Sequence, residues 1–141
     1  LVLKQMLNQE VVWFGSDVAR FGDRKVGVWD DEQFDYEEML GMSFEMSKED
    51  QLDYSQGAMN HAMVLTAVHL DNQEPKRWKI QNSWGDDSGN KGYYMASDSW
   101  FDKFVYQAVI HRKYLNEAQL KAWEEKPKVL KPWDPMGSLA K

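Results

Sequence analysis

Apolar and β-branched residues are concentrated in the middle of the chain, where their pattern predicts a β-sheet. Residues 61–70 are apolar along most of their length and predict a strand that is buried on both faces. Residues 77–82 alternate between polar and apolar side chains and predict a second strand, after a turn over residues 71–76. Further strands are predicted over residues 10–14, 92–95 and 106–113, the first of them ended by Gly15 and Ser16.

Polar residues that can cap helices predict short helices between the strands. Ser47 followed by Asp50 predicts one helix start, and Asn116 with Gln119 predicts another. The predicted helices cover residues 47–57, 97–104 and 116–125. Residues 16–31 are rich in glycine and charge, so they are expected to form a loop with one short extended piece.

Two segments have less regular patterns. Residues 31–43 are acidic with interspersed apolar side chains, and the sequence leaves their secondary structure open. Residues 126–141 contain three prolines, so they cannot be helical throughout and are predicted to form an extended arm.

The composition fits one compact domain and excludes several classes of protein. The 141 residues include 43% hydrophobic and 13% aromatic residues, which is too rich for a disordered chain. The longest apolar runs, such as residues 62–68, are far shorter than a membrane span, which argues against a transmembrane protein. A net charge of −6 argues against a general nucleic-acid binder, although it leaves room for a local basic strip.

The lack of cysteine excludes three kinds of chemistry from this chain. Without cysteine, the chain can supply no disulfide, no thiolate metal ligand and no cysteine nucleophile. Residues 1–4 have no signal-peptide pattern, and the first residue is leucine instead of methionine. A processed protein and a piece of a longer chain are both compatible with that start.

Two polar residues at the ends of the predicted hairpin are candidates for chemistry. If residues 61–70 pair with residues 77–82, the hairpin is centred near position 73, and His61 faces a residue near position 85. Asn82 and Trp84 lie close to that point in the chain. The predicted hairpin therefore brings an imidazole, a carboxamide and an indole together.

This cluster suits a histidine that moves a proton. A histidine that acts as a general base, or as the cation of an ion pair, must be held in one orientation and one tautomer. The carbonyl oxygen of Asn82 can accept the Nδ1–H of His61 without adding a charge, which suits a cysteine–histidine pair. Trp84 can cover that hydrogen bond. Taken singly, each residue also has an ordinary structural explanation in a strand end, a turn or a core.

We expect no metal and no cofactor. His61 and His69 lie on one strand face, but eight residues of strand separate them by roughly 26 Å, too far to share a metal ion. His111 is interpreted as an ordinary strand residue. Residues 86–90, which include Asp86 and Asp87, lack the spacing of a calcium-binding loop and are interpreted as a turn.

Segments around His61 and Asn82 resemble those of the papain-like cysteine peptidases. They are Asn60-His61-Ala62, residues 79–85, Gly89, and Gly92-Tyr93-Tyr94. Other segments resemble the bleomycin hydrolase and aminopeptidase C branch, namely residues 12–15, 46–48, 52–54, 61–66, 89–92, 100–102 and 132–137. The resemblance covers essentially the whole chain, and the last motif is not shared with ordinary papain relatives.

The resemblance implies a fold and a biological setting. The fold is α+β, with a twisted antiparallel β-sheet that forms the barrel-like half of a papain-type cysteine peptidase, short peripheral helices and an extended C-terminal arm. Residues 1–130 would form the part of the peptidase domain that carries histidine and asparagine, and residues 131–141 the arm. The implied protein is a cytoplasmic cysteine aminopeptidase that acts on peptides, assembles as a homohexamer and has no membrane partner.

The resemblance also assigns roles to individual residues. His61 matches the catalytic histidine, Asn82 its orienting asparagine, and Trp84 the tryptophan beside them. The arm would lie in the active-site cleft, where its terminal carboxylate would hold the amino terminus of the substrate. That anchor would be Lys141, or Ala140 if the last residue is trimmed.

One departure from the family pattern shapes the functional expectation. The nucleophilic cysteine and the oxyanion-hole glutamine of the family belong to its N-terminal half, which this sequence does not include. We therefore expect the chain to be the C-terminal portion of such an enzyme, without peptidase activity when alone. The alternative is a binding or assembly module that keeps the fold but has no chemistry.

Overall fold

The computed structural model describes residues 1–134, which form one seven-stranded sheet with short helices around it. The strands are β1 (Val12–Ser16), β2 (Gly22–Asp23), β3 (Val28–Trp29), β4 (His61–Asp71), β5 (Glu74–Gln81), β6 (Tyr93–Ser97) and β7 (Val105–Ala108). The helices are α1 (Val2–Leu7), α2 (Tyr36–Leu40), α3 (Lys48–Asp53), α4 (Asp98–Phe104) and α5 (Glu117–Glu124), with a 3₁₀ turn at Arg112–Tyr114. Ala140 and Lys141 lie outside the described residues.

The sheet confirms the predicted α+β class, with one difference in strand direction. The strands are ordered β2-β3-β6-β5-β4-β1-β7, and most neighbours are antiparallel. The pair of β3 and β6 is parallel. Because a long stretch of chain separates these two strands, no hairpin turn dictates their relative direction. The sheet is therefore mixed instead of purely antiparallel.

Strands β4 and β5 form the predicted hairpin with a tighter turn. Asn72 and Gln73 connect the strands, and both have positive φ angles, of 48° and 71°. Positive φ at both central residues matches the twist of paired antiparallel strands. The short turn lets β5 begin at Glu74, earlier than the sequence suggests. The register then places Leu65 opposite Ile80, so the start of β4 lies beside the residues that follow β5.

The prediction that residues 61–70 are buried on both faces is wrong. Met63 and Leu65 are almost fully buried on one face, whereas Ala62 and Ala67 are exposed. The same one-sided burial is seen on neighbouring β1, where Val12 is buried beside an exposed tryptophan. Antiparallel strands commonly bury a single face, so an apolar run does not by itself require two covering layers.

Strand β1 continues through Gly15 and Ser16, where the sequence predicts an end. Gly15 pairs with Ala62 of β4 and with Gln107 of β7, so it lies between two strands. A side-chain carbon at Gly15 would overlap the side chain of Met59. Close packing therefore explains this glycine, and pairing on both edges overrides its local preference for a turn.

The capping residues identified in the sequence do begin helices. Ser47 Oγ accepts a hydrogen bond from the backbone N of Asp50 at 3.0 Å at the start of α3. At α5, Asn116 and Gln119 each accept from the backbone N of the other, at 2.9 and 3.0 Å. Helices α1 and α2 have only six and five residues, too few for a helical period to be visible. The strand predicted over residues 106–113 is shorter than expected. Strand β7 ends at Ala108, although the sequence pattern predicts that it continues to residue 113.

Aromatic side chains form much of the core. Trp29 is buried and stacks on Tyr94, with 4.6 Å between ring centroids, and on Trp100, with 5.5 Å. The indole N–H of Trp29 donates to the backbone oxygen of Val18 at 3.2 Å, so its polar atom is satisfied. The rings of Trp29 and Tyr94 also contact Trp84, and the core thus supports one wall of the candidate site.

A buried carboxylate joins the segment after β3 to helix α4. The side chain of Asp31 is 3% exposed, and it accepts hydrogen bonds from Lys103 Nζ and Ser99 Oγ, both at 2.6 Å. Burial alone would raise the pKa of Asp31, but the hydrogen bonds from Lys103 and Ser99 outweigh it and hold the pKa below its ordinary value of 3.8. The ionised carboxylate therefore stabilises the fold.

We expect Asp31→Asn to lower the free energy of unfolding by about 1–2 kcal/mol near pH 7, because Lys103 loses its carboxylate partner. Since folding depresses the pKa of Asp31, this stabilisation is complete above the ordinary pKa and is lost as the pH falls through the folded-state value. Urea unfolding at about pH 7 and about pH 3 should show a smaller difference between the two proteins in acid.

The matched control is Glu74→Gln, which removes the exposed ion pair with Lys76 (3.5 Å). This change should alter the free energy of unfolding by less than about 0.5 kcal/mol. An equal effect of Asp31→Asn at both pH values would contradict the role assigned to the Asp31 carboxylate.

Candidate active site

His61 is the first residue of β4, and the sheet determines its position. It pairs with Ser16, the last residue of β1. By the two-residue period of a strand, the imidazole lies on the same face as buried Met63. The ring is itself partly exposed, so it lies at the edge of the core where an imidazole can meet a reactant.

Asp17 and Asn60 form a reciprocal clamp beside His61. Asp17 is 4% exposed, and its Oδ1 accepts hydrogen bonds from Asn60 Nδ2 at 2.6 Å and from the backbone N of Ala19 at 3.1 Å. In return, Asn60 Oδ1 accepts from the backbone N of Val18 at 3.0 Å. The clamp joins the residue after β1 to the residue before β4. It therefore restricts the movement of the backbone at His61.

The clamp also influences a neighbouring tyrosine. Burial, followed by the negative charge of Asp17, raises the pKa of Tyr106 above its ordinary value of 10.0. A side-chain carbon at Gly57 would overlap the hydroxyl of Tyr106, so the segment before β4 packs closely on β7. Tyr106 therefore stays neutral and adds no charge near the clamp at neutral pH.

Asn82 follows β5 directly and is held by its backbone and its side chain. Its backbone N donates to the oxygen of Gly92 at 3.0 Å. Its side-chain Oδ1 accepts from the backbone N of Ser83 at 2.8 Å and lies 2.7 Å from Nε2 of His61. Because the Ser83 N–H can only donate, the atom facing it is oxygen, which orients the amide. Nε2 of His61 therefore carries a hydrogen and donates it to Asn82.

The structure brings His61 and Asn82 together through a different nitrogen than the sequence suggests. The expectation is a hydrogen bond from Nδ1, but Nε2 makes the contact. Asn82 lies beyond the end of β5, so the ring nitrogen farther from the His61 backbone reaches it. With hydrogen on Nε2, the neutral imidazole has its lone pair on Nδ1, and Nδ1 is the atom that can accept a proton.

Trp84 lies against this pair. Its indole stacks on the imidazole of His61, with 4.8 Å between ring centroids and 23° between the planes. Tyr94 meets the indole edge to face at 5.6 Å, and Trp29 lies at 6.0 Å. The aromatic core thus backs the indole, and the indole covers one face of the imidazole.

The other candidate residues do not join this cluster. His69 is exposed near the turn end of the hairpin, where it pairs with Arg77. The interpretation of His111 as a strand residue is wrong, because β7 ends at Ala108 and His111 directly precedes the 3₁₀ turn. Its backbone N donates to Gln5 Oε1 at 2.8 Å. Within residues 1–134, no three potential ligands gather in a way that could hold a metal ion. The proposed anchors Ala140 and Lys141 lie outside the described residues.

The helices of residues 1–134 are all too short or too polar to cross a membrane.

Sequence reasoning missed the residues that support the pair. Asn60 belongs to a motif noted beside His61, but nothing in the sequence indicates that Asp17 would bind it across 43 positions. Arg24, whose guanidinium lies over Trp84, also had no local signal. Such contacts depend on how distant segments pack, which a local pattern does not encode.

Comparison with known proteins identifies relatives along nearly the whole chain. The sequence pattern of the Peptidase C1-like family matches residues 1–137. The chain is 51% identical over 143 residues to an Aminopeptidase C from Lactobacillus delbrueckii subsp. lactis, which covers 99% of this chain and 32% of that relative. It is 46% identical over 136 residues to a Bleomycin hydrolase from Gallus gallus, covering 94% of this chain and 30% of the relative.

A solved structure has the same fold. It is the crystal structure of PepW from Lactobacillus rhamnosis HN001, with a TM-score of 0.89 and 48% sequence identity. The match covers 98% of this chain and 32% of the PepW chain. The chain thus spans about a third of the length of these relatives.

Proposed function

This chain belongs to the Peptidase C1-like family, and from that premise we propose that it supplies the histidine and asparagine of a cysteine-type aminopeptidase. The relatives named Aminopeptidase C and Bleomycin hydrolase support this activity. The chain contains no cysteine, so the nucleophile must come from residues outside this sequence. The substrates are peptides, from which N-terminal residues are released.

The observation that carries the proposal is the hydrogen bond between His61 and Asn82. At 2.7 Å, and with the amide oriented by Ser83, it holds the imidazole in the Nε2–H tautomer. The basic nitrogen is then Nδ1, which is free to exchange a proton with a thiol. A neutral asparagine orients the ring without adding a charge, as a thiolate–imidazolium pair requires.

His61 transfers protons in both steps of the proposed reaction, and Asn82 and Trp84 support it. The thiolate attacks the carbonyl carbon of the first peptide bond, and His61 donates its Nδ1 proton to the departing amine. In the second step, His61 takes a proton from the water that attacks the acyl-enzyme. The carbon–sulfur bond then breaks, the sulfur leaves as a thiolate, and His61 keeps the proton, which restores the thiolate–imidazolium pair. Asn82 keeps the ring oriented throughout, and Trp84 shields their hydrogen bond from water.

We extend the proposal to the arm, the assembly and the compartment. Residues 131–141 would lie in the cleft and hold the amino terminus of the substrate by the terminal carboxylate of Lys141 or, after trimming, of Ala140. The complete protein would be a cytoplasmic homohexamer. Exposed Trp133, at the start of the arm, supports docking into a groove, since an indole is favoured where its apolar surface is covered.

A non-catalytic binding or assembly module is the second candidate. The lack of cysteine favours it, because the chain keeps the fold of its relatives without a nucleophile of its own. The two candidates differ in one measurable property, which is hydrolysis by the complete polypeptide that contains this chain.

The test assays that complete polypeptide with aminoacyl fluorogenic substrates. We expect hydrolysis of substrates with a free amino group, little hydrolysis of N-acetylated ones, and loss of activity after alkylation with iodoacetamide. The purified 141-residue chain should give no hydrolysis above buffer. Activity of this chain alone, or activity of the complete polypeptide that survives alkylation, would contradict the proposal. A complete polypeptide without activity would favour the module.

A further inference from the structure

We propose that Arg24 is a positioning residue that holds Trp84 against the imidazole of His61. Its effect on the reaction rests on the proposed function, whereas its effect on the two rings does not. The guanidinium carbon of Arg24 lies 4.6 Å from the ring centroid of Trp84, within the range of a cation–π contact. Trp84 in turn stacks on His61.

The backbone at Arg24 is anchored to the loop that carries Trp84. The carbonyl oxygen of Arg24 accepts hydrogen bonds from the backbone N of Gly89 and from Tyr94 Oη, both at 3.3 Å. Arg24 Nε also faces Ser88 Oγ at 3.5 Å. These contacts reach both the loop after β5 and the first residues of β6, so the position of the guanidinium is set by the fold.

The turn that presents Arg24 is itself well defined. Oδ1 of Asp23 accepts hydrogen bonds from the backbone N of Lys25 and of Val26, both at 2.9 Å. The backbone N of Gly27 donates to the oxygen of Asp23 at 2.8 Å, which closes the turn between β2 and β3. The side chain of Arg24 therefore starts from a fixed backbone.

Trp84 needs such support because its own backbone does little to restrict the orientation of its side chain. It lies outside the strands, and Gly85 directly after it has a φ angle of +87°, a conformation that other residues rarely adopt. Gly89 and Gly92 in the same loop also have positive φ angles. The orientation of the indole is therefore decided by what packs on its ring.

The chemistry of Arg24 suits this role. Among residues 1–134, no carboxylate forms an ion pair with Arg24, and no other cation lies over Trp84. A guanidinium is planar and stacks well on an indole, whereas the ammonium of lysine is compact and strongly hydrated. Lysine at this position should therefore replace arginine only in part.

The first test reads the ring geometry without activity. Histidine ring-proton NMR shifts of the 141-residue chain, assigned with His69→Ala and His111→Ala variants, report whether the His61 ring lies over an indole. We expect the His61 ring protons to lie upfield of those of His69 because of the ring current of Trp84. Arg24→Gln should move them toward the His69 positions. Unchanged His61 shifts in Arg24→Gln would overturn the proposal.

The second test measures rates in the complete polypeptide. We expect Arg24→Gln to lower kcat about 3- to 10-fold with KM within about 2-fold, and Arg24→Lys to recover part of the loss. The matched control is Lys79→Gln, which removes a cation from the ring of Tyr93 (4.4 Å) and should leave kcat unchanged. Equal losses in Arg24→Gln and Lys79→Gln, or a kcat of Arg24→Gln within 2-fold of the unmodified protein, would overturn the role in the reaction.

The two tests separate this inference from the proposed function. An unmodified complete polypeptide without peptidase activity refutes the proposed function, and the His61 ring shifts then decide the role of Arg24 alone.

Discussion

His61→Ala in the complete polypeptide will abolish turnover, with a loss of about 10⁴-fold or more in kcat. Asn82 holds the imidazole of His61 in the Nε2–H tautomer, and Nδ1 is the proposed proton carrier. Alanine removes the donor for the leaving amine and the base for water in one change. The measurement is steady-state hydrolysis of an aminoacyl substrate.

Assembly should survive the same change. His61 is the first residue of β4, and the pairing of this strand with β1 and β5 uses backbone atoms that alanine retains. Size-exclusion chromatography should therefore give the same elution volume for both proteins. His69→Ala is the matched control, because His69 is an exposed histidine on the same strand. A rate of His61→Ala near that of His69→Ala would refute the catalytic assignment.

Asn82→Ala will be milder, lowering kcat by about 10- to 100-fold. A hydrogen bond to a charged group contributes about 1.5–3 kcal/mol, and each 1.36 kcal/mol in the barrier is a factor of ten in rate. The change removes the acceptor that orients His61 Nε2 but leaves the proton carrier in place. Because the orientation matters at every step of the reaction, the loss should appear in kcat more than in KM.

Asn8→Ala is a matched control for this prediction. The side chain of Asn8 donates to the backbone oxygen of Lys4 at 2.8 Å at the exposed end of α1, away from His61. Its rate should equal that of the unmodified protein. If Asn82→Ala and His61→Ala both keep rates near that of the unmodified protein, the active-site assignment is wrong.

Local patterns in the sequence were sufficient for several elements of the fold. The hairpin of β4 and β5 follows from two β-rich runs around a short polar turn, and the start of α5 follows from Asn116 and Gln119. Both features depend on contacts between residues that are close in the chain. For the same reason the hairpin brings His61 and Asn82 near each other, since a turn makes its two ends neighbours.

Other features could not be predicted from these patterns. Gly15 and Ser16 look like a strand end in isolation, but β4 and β7 pair with them from both sides. Helix α2 has too few residues to show a helical period. Strand β3 pairs with β6 in parallel only because the whole sheet assembles. In each case, partners far along the chain decide the local conformation.

Local sequence patterns are enough to show which functional groups this protein carries and that a hairpin brings an imidazole and a carboxamide together. The contact of His61 Nε2 with Asn82, the binding of Asn60 by Asp17 and the position of Arg24 over the indole of Trp84 become visible only in the folded chain. The difference comes from the distance along the chain between the residues in contact. The pairing within the β4–β5 hairpin and the helix caps join residues that are near in the chain. The clamp of Asp17 on Asn60 and the stack of Arg24 on Trp84 depend on the packing of segments that are distant in the chain.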